Sequence, residues 1–259
     1  MIKAIFFDID GTLLSFKTHK VPQSTIEAIK TLKAKGIKVI VATGRAIKQV
    51  VGLDELEFDG YITFNGNLCL SKEKEVFFKN AIPKEDIQAL IKYQQERKAF
   101  PCILMAEDEN TINFVDNTVI EVFNLLNLPI YEAVGMEKAT EKDVIQINAF
   151  LKPEEDADLI EHALKSCETS RWTHLFADVN VKGSNKGTAI DQFVKYLGIN
   201  ISETMAFGDG GNDIEMLKHA GLSVAMGNAG DDVKSAADYV TDSVDDNGIF
   251  NALKHFNVI

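Results

Sequence analysis

Asp8 and Asp10 stand one residue apart, at the end of the apolar run 2–7 and just before the turn Gly11-Thr12. Alternate side chains of a strand share a face, so both carboxylates are expected to emerge together at the strand's C-terminal end. Held that close they repel, and they need either a cation between them or one shared proton. Three other polar groups sit where an apolar run gives out. Thr43-Gly44-Arg45 follows the run 37–42, GDGGND (208–213) follows TMAF (204–207), and Lys186 opens a helix-like stretch in GSNKGTAI. The Thr43 hydroxyl and the backbone N–H groups of its turn, placed at an expected helix start, form a natural phosphate cradle.

The elements that must position these residues alternate in type. Residues 2–7, 37–42 and 61–64 read as buried strands. Residues 22–35 read as a helix with an Ile26, Ile29, Leu32 stripe and a Gly36 stop, and a second helix is expected before residue 61. Residues 68–78 read as a hairpin turning around 71–74. Helix at 187–197, strand at 204–207, helix at 212–219, strand at 222–226, helix near 231–237, strand at 239–241 and helix at 248–255 resume the rhythm. Strands alternating with helices imply an α/β fold, a Rossmann-like parallel-sheet core. Between them the pattern changes: helices at 84–98, 118–126 and 154–165, strands at 102–106, 111–115, 144–150 and around 171–181. Two strands per helix is not a simple crossover, so residues 81–182 are expected to be an inserted α+β domain. The discontinuous core is then 1–80 and 183–259, with hinges near 80–83 and 182–184. In open α/β sheets ligands bind outside the carboxyl ends of the strands, where all four polar groups fall.

Asp8 and Asp10, Thr43 with Arg45, Lys186 and GDGGND, in that order, resemble the four motifs of the haloacid dehalogenase superfamily of Mg²⁺-dependent phosphotransferases. The insertion between Thr43 and Lys186 resembles the Cof-type branch, mostly sugar-phosphate phosphatases, in which it acts as a cap over the catalytic edge. The resemblance implies Asp8 as the nucleophile forming an aspartyl-phosphate, and Asp10 as general acid/base. Asp8, the Asp10 carbonyl and Asp209 would ligate Mg²⁺, with Asp213 in the outer shell. Lys186 would pair with Asp8 and the phosphate, and Thr43, Gly44, Arg45 and Asn212 would contact the phosphate. Arg45 is equally compatible with a structural ion pair, and GDGGND alone with a glycine-rich cap of the following helix. The implied reaction is hydrolysis of small phosphorylated metabolites, hexose phosphates foremost. A phosphomannomutase-like transfer on the same fold and a non-catalytic phosphometabolite sensor are the alternatives.

Composition narrows the partners. A net charge of −12 argues against nucleic acid and anionic membrane, which demand a basic face, and requires any anion site to be locally positive. Cys69, Cys102 and Cys167 have neither metal nor redox spacing, and read as buried thiols in a reducing cytoplasm. No apolar run approaches a membrane span of roughly 18 residues, and a cytoplasmic monomer or small homo-oligomer is expected. Asn65-Gly66 ends a strand on the same edge, as a turn or near the substrate. Arg171, Trp172 and Asp178 are possible sugar contacts within the insertion, although packing explains them as well.

Overall fold

The computed structural model describes residues 1–53, 56–126, 129–139, 141–171 and 173–259, without the side chains of 138 and 139. Trp172 lies outside the described residues. In chain order, β1 (Ala4–Phe7) leads to α1 (Gln23–Ala34), β2 (Lys38–Ala42), β3 (Gly60–Thr63), β4 (Leu68–Ser71) and β5 (Val76–Lys79). Next come α2 (Lys84–Glu96), β6 (Cys102–Met105), β7 (Asn110–Ile112), α3 (Asn117–Leu125) and α4 (Met136–Ala139). They are followed by β8 (Gln146–Ala149), α5 (Asp156–His162), β9 (Cys167–Ser170) and β10 (Ala177–Val181). The chain closes with α6 (Lys186–Leu197), β11 (Thr204–Gly208), α7 (Ile214–His219), β12 (Ser223–Ala225), α8 (Asp231–Ser235), β13 (Tyr239–Val240) and α9 (Gly248–His255).

Two compact units divide the chain. One joins Met1–Phe78 to Asn185–Ile259, and the other is Lys79–Ser184. The first holds an eight-stranded sheet in the order β13-β12-β11-β1-β2-β3-β4-β5, in which β13 through β3 pair in parallel and β4 turns back on β3. From β1 the chain builds outward to β2 and β3 on one side, and later to β11, β12 and β13 on the other. The end of β1 is therefore the topological switch point, where an α/β sheet opens a crevice.

Side-chain alternation along β1 decides what Asp8 meets. Ile5 and Phe7 face a core built with Ile26, Ile29 and Leu32 of α1 and Ile249, Ala252 and Leu253 of α9. Ala4 and Phe6 face the opposite core, with Ala189, Ile190 and Phe193 of α6 and Met216 and Leu217 of α7. The Asp8 N–H continues the ladder to the Phe207 carbonyl at 3.0 Å, so Asp8 keeps the parity of Phe6 and points toward the α6 side. Phe193 meets Phe6 and Phe77 edge-to-face, at centroid distances of 5.8 and 4.9 Å, and fixes α6 against the sheet.

The inserted unit carries a five-stranded antiparallel sheet, β7-β6-β8-β10-β9. One face, through Cys102, Leu104, Ile147 and Val179, buries α2 and α5. On the other face Asp178 sits opposite Asn148, whose amide donates to it at 2.5 Å, and beside Gln146 at 3.4 Å. Asn80 donates to Ser184 at 2.7 Å, tying together the two segments where the chain enters and leaves this unit.

Two expectations are corrected. No helix fills the β2–β3 connection among the described residues. A single 3-10 turn at Ile47–Gln49 stands there, and Leu53, Leu56 and Phe58 cover the sheet from an irregular segment. The stretch 171–181 is not one strand: β9 precedes it and pairs with β10 as a hairpin edge. Arg171 takes the packing alternative. Its guanidinium forks onto Asp156 at 2.6 and 2.8 Å and also donates to the carbonyls of Leu151 and His174. All three cysteines are buried and outside any disulfide, and burial pushes each thiol up to about 12, where it is inert. Among the described residues no helix is long and apolar enough to cross a membrane.

Candidate active site

Neighbouring parallel strands β11, β1 and β2 deliver Asp209, Asp8 and Thr43 side by side, each just past its strand's carboxyl end. Lys186 arrives from the other direction, as the first residue of α6. Asn185 caps that helix, its side-chain oxygen accepting from the Thr188 N–H at 2.9 Å. The approach is tight. Gly66, with φ 108°, lies so close to this cap that a Cβ there would stand 2.2 Å from the Asn185 carbonyl oxygen. Only glycine lets the end of β3 pass beneath the start of α6.

Lys186 is fully buried and divides its ammonium between Asp8 Oδ1 at 2.6 Å and Asp213 Oδ1 at 2.7 Å. Asp213 is equally buried, and its second oxygen accepts from the N–H groups of Asp209 at 3.0 Å and Gly210 at 2.9 Å. Both its oxygens are thus engaged in holding the lysine and the GDGGND loop. Asp209 accepts from the Thr12 hydroxyl at 2.9 Å through Oδ1 and from the Asn228 amide at 3.1 Å through Oδ2.

Asp8, Asp209 and Asp213 each bring a carboxylate oxygen within 4.8 Å of the others. One lysine against three carboxylates leaves an excess of two negative charges in a buried space. The protonation behaviour registers that imbalance. Burial, then the charge of Asp213, lifts Asp8 well above the usual carboxylate value despite Lys186. Burial and Asp213 likewise push Asp209 up to about 7, against the Thr12 hydrogen bond and Lys186. Burial works against the Lys186 charge, but Asp213 and Asp8 outweigh it and hold the ammonium above its ordinary range. The lysine stays charged while its partners compete for protons, an arrangement that a divalent cation with hard oxygen ligands would relieve. The donor set fits Mg²⁺ on that ground.

Asp10 departs from the simple picture of two carboxylates around one cation. Its side chain lies outside the cluster, 38% exposed, and takes both prongs of Arg45: Nε to Oδ2 at 2.9 Å and Nη2 to Oδ1 at 2.5 Å. Arg45 Nη1 donates to the Gln49 carbonyl at 2.9 Å. Arg45 is therefore engaged by an ion pair rather than directed at an open anion position. The Thr43 turn also differs from expectation, because among the described residues no α-helix follows it before β3. The buried Thr43 hydroxyl accepts from the Arg45 N–H at 3.1 Å, which closes the turn on itself. Gly44 packs against the Asn65 amide, and Asn212 donates to Asn65 Oδ1 at 3.0 Å, so Asn65 joins the β2 and GDGGND loops. Thr12 and Asn228 were not singled out from sequence. The first was legible as part of the Gly-Thr turn; the second, in a loop 19 residues beyond Asp209, gave no signal.

A family model described as haloacid dehalogenase-like hydrolase matches residues 5–253. A solved HAD subclass IIB sugar phosphatase superposes with a TM-score of 0.92 at 45% identity, covering 99% of this chain and 100% of that one. A HAD superfamily phosphatase from Bacteroides thetaiotaomicron superposes with a TM-score of 0.94 at 42% identity, covering 100% of this chain and 96% of that one. The Bacillus subtilis (strain 168) protein named "Putative phosphatase YkrA" is 34% identical over 99% of this chain and 98% of its own length. The chain belongs to the haloacid dehalogenase-like hydrolase family, and its relatives in sequence and structure mark it as a phosphatase of that family.

Proposed function

We propose that this haloacid dehalogenase-like phosphatase is Mg²⁺-dependent and hydrolyses small phosphorylated metabolites, hexose phosphates foremost, through an aspartyl-phosphate on Asp8. The observation that carries the reading is the buried Lys186, bonded at once to Asp8 and Asp213 beside Asp209. It explains how a carboxylate can approach a phosphate dianion. Each such charge pair repels by about 4 kcal/mol at 4 Å and an effective dielectric of 20. A fixed, fully buried ammonium opposes that repulsion at the position where charge accumulates. The choice of hexose phosphates rests on the likeness to a sugar phosphatase over the whole chain.

Mg²⁺ would be held by Asp8, Asp209 and the Asp10 carbonyl, with Asp213 behind them. When bound it would polarise the phosphoryl oxygens and balance the excess charge. In the first half-reaction an Asp8 oxygen attacks phosphorus and the ester P–O bond breaks. Asp10 gives its proton to the departing alcohol oxygen. In the second, water attacks phosphorus, its proton passes to Asp10, and the Asp8–phosphorus bond breaks to release inorganic phosphate. Asp8 Oδ1 is tied to Lys186, so the nucleophile is oriented before substrate arrives. Arg45 holds both Asp10 oxygens through its fork, which fixes the direction of the group that takes up a proton in the second half-reaction. Delivery of a proton in the first half-reaction requires at least one Arg45 bond to be released. Thr43 and Asn212 line the same strand edge, as phosphate contacts.

Phosphate release is the test, measured across hexose phosphates, nucleotides, pyridoxal phosphate and phosphoglycolate, with and without Mg²⁺. Release strongest with hexose phosphates and abolished by EDTA is expected. Isomerised phosphosugar from glucose 1-phosphate or mannose 1-phosphate, with no free phosphate, would replace hydrolysis by a mutase. Turnover that is indifferent to EDTA would remove the metal from the account.

A further inference from the structure

We infer that Asn228 is a positioning residue for Asp209: its amide sets the direction of that carboxylate and, through it, the affinity of the metal site. The inference rests on the reading of Asp209 as a Mg²⁺ ligand. Asn228 lies in the loop after β12 and joins three loops that are distant in sequence. Its Nδ2 donates to the Gly11 carbonyl at 2.9 Å and to Asp209 Oδ2 at 3.1 Å, while its Oδ1 accepts from the Val244 N–H at 3.0 Å. A carbonyl and a carboxylate on one side and an N–H on the other fix which end of the amide faces which partner. Aspartate could not reproduce this, because it has no donor for two oxygen partners.

The Asp209 carboxylate is gripped at both ends, by Thr12 on Oδ1 and Asn228 on Oδ2. Each oxygen keeps a second lone pair for a cation. The space is close-fitting: a Cβ at Gly11, φ +83°, would stand 2.1 Å from Asp209 Oδ2, so the carboxylate lies directly against the backbone that Asn228 also holds. The same brace reaches the loop after Gly11. Ser15 donates to Asp245 at 2.6 Å and Lys17 pairs with Asp245 at 3.0 Å, next to the Val244 N–H that Asn228 accepts. Asn228 is itself exposed, and the net contribution of each of its hydrogen bonds to folding is modest. Orientation, not stability, is what its three bonds supply, and partners behind metal ligands tune affinity in this way.

The test uses the full-length protein with Mn²⁺ as the probe, its dissociation constant read by electron paramagnetic resonance without substrate. Asn228→Ala and Asn228→Leu, the second matching the volume, are each expected to weaken Mn²⁺ binding about 10-fold. The metal-free melting temperature should stay near that of the wild type. Their activity should recover at high Mg²⁺, so the Mg²⁺ requirement rises while kcat is kept. A Mn²⁺ affinity within about twofold of wild type in both variants would overturn the inference, as would loss of the folded state in both. A Mn²⁺ signal that survives in Asp209→Ala would instead overturn the metal reading on which it rests.

Discussion

Lys186 and Arg45 stand at opposite ends of the Asp8–Asp10 pair. Lys186 has no exposed side-chain surface and serves two carboxylates, with a third nearby; Arg45 is one-quarter exposed and gives its fork to Asp10 alone. The lysine end is short of positive charge and sealed from water, so its geometry is fixed and its deficit calls for a cation. The arginine end is balanced and wetted, so its bonds can be exchanged at modest free-energy cost. On the proposed mechanism the two ends would do different work: one would hold the nucleophile still, and the other a proton carrier that must move.

Lys186→Met breaks the contrast most severely. It leaves Asp8 and Asp213 buried without a counter-ion, and kcat should fall about 10²–10³-fold. Stability should fall by about 3–5 kcal/mol, read from urea unfolding. A loss of activity alone, with stability intact, would mean that the buried charges rearrange freely and the lysine end is not rigid.

Arg45→Met tests the other end. Steady-state kinetics should show kcat lower by about tenfold, as expected for loss of a group that orients a general acid/base. Urea unfolding should move by no more than about 1 kcal/mol, in keeping with a partly exposed pair. A stability loss as large as that of Lys186→Met would erase the distinction between the two ends.

Acidity offers a gentler probe. In the metal-free protein Asp209 titrates at about 7 and Asp8 is also raised, so the folded state binds protons that the unfolded chain releases. Stability from this cluster is fully present below the ordinary carboxylate value and is lost as pH rises through the raised folded values. A divalent cation competes with those protons. Mg²⁺ should therefore raise the melting temperature more at pH 8 than at pH 5, and an equal rise at both would mean that it binds elsewhere.

The α/β architecture was legible because buried parallel strands are short continuous apolar runs: residues 2–7, 37–42 and 204–207 each became a strand, within two residues at either end. The predicted helix at 248–255 coincides with α9. The β2–β3 connection misled because a crossover between parallel strands is usually a helix, whereas here Leu53, Leu56 and Phe58 cover the core without one among the described residues. β9 was missed because CETS is a polar edge strand with one buried residue, Cys167, and no pattern to read. At the site, the polar residues at strand ends could be seen, since position and type are written in the chain. Their pairing could not. Whether Arg45 meets a phosphate or Asp10, and that an amide at 228 reaches Asp209, depends on loop conformations that leave no periodic trace.

On the proposed mechanism Asp8 carries the phosphoryl group. Asp10→Asn protein should be mixed with a hexose phosphate and Mg²⁺, quenched in acid within milliseconds to seconds, and digested for mass spectrometry. One phosphoryl group on the peptide containing Asp8, removed by hydroxylamine and absent from Asp8→Asn, is the predicted result. Undiminished phosphate release by Asp8→Asn, or phosphoryl label on another residue, would contradict it.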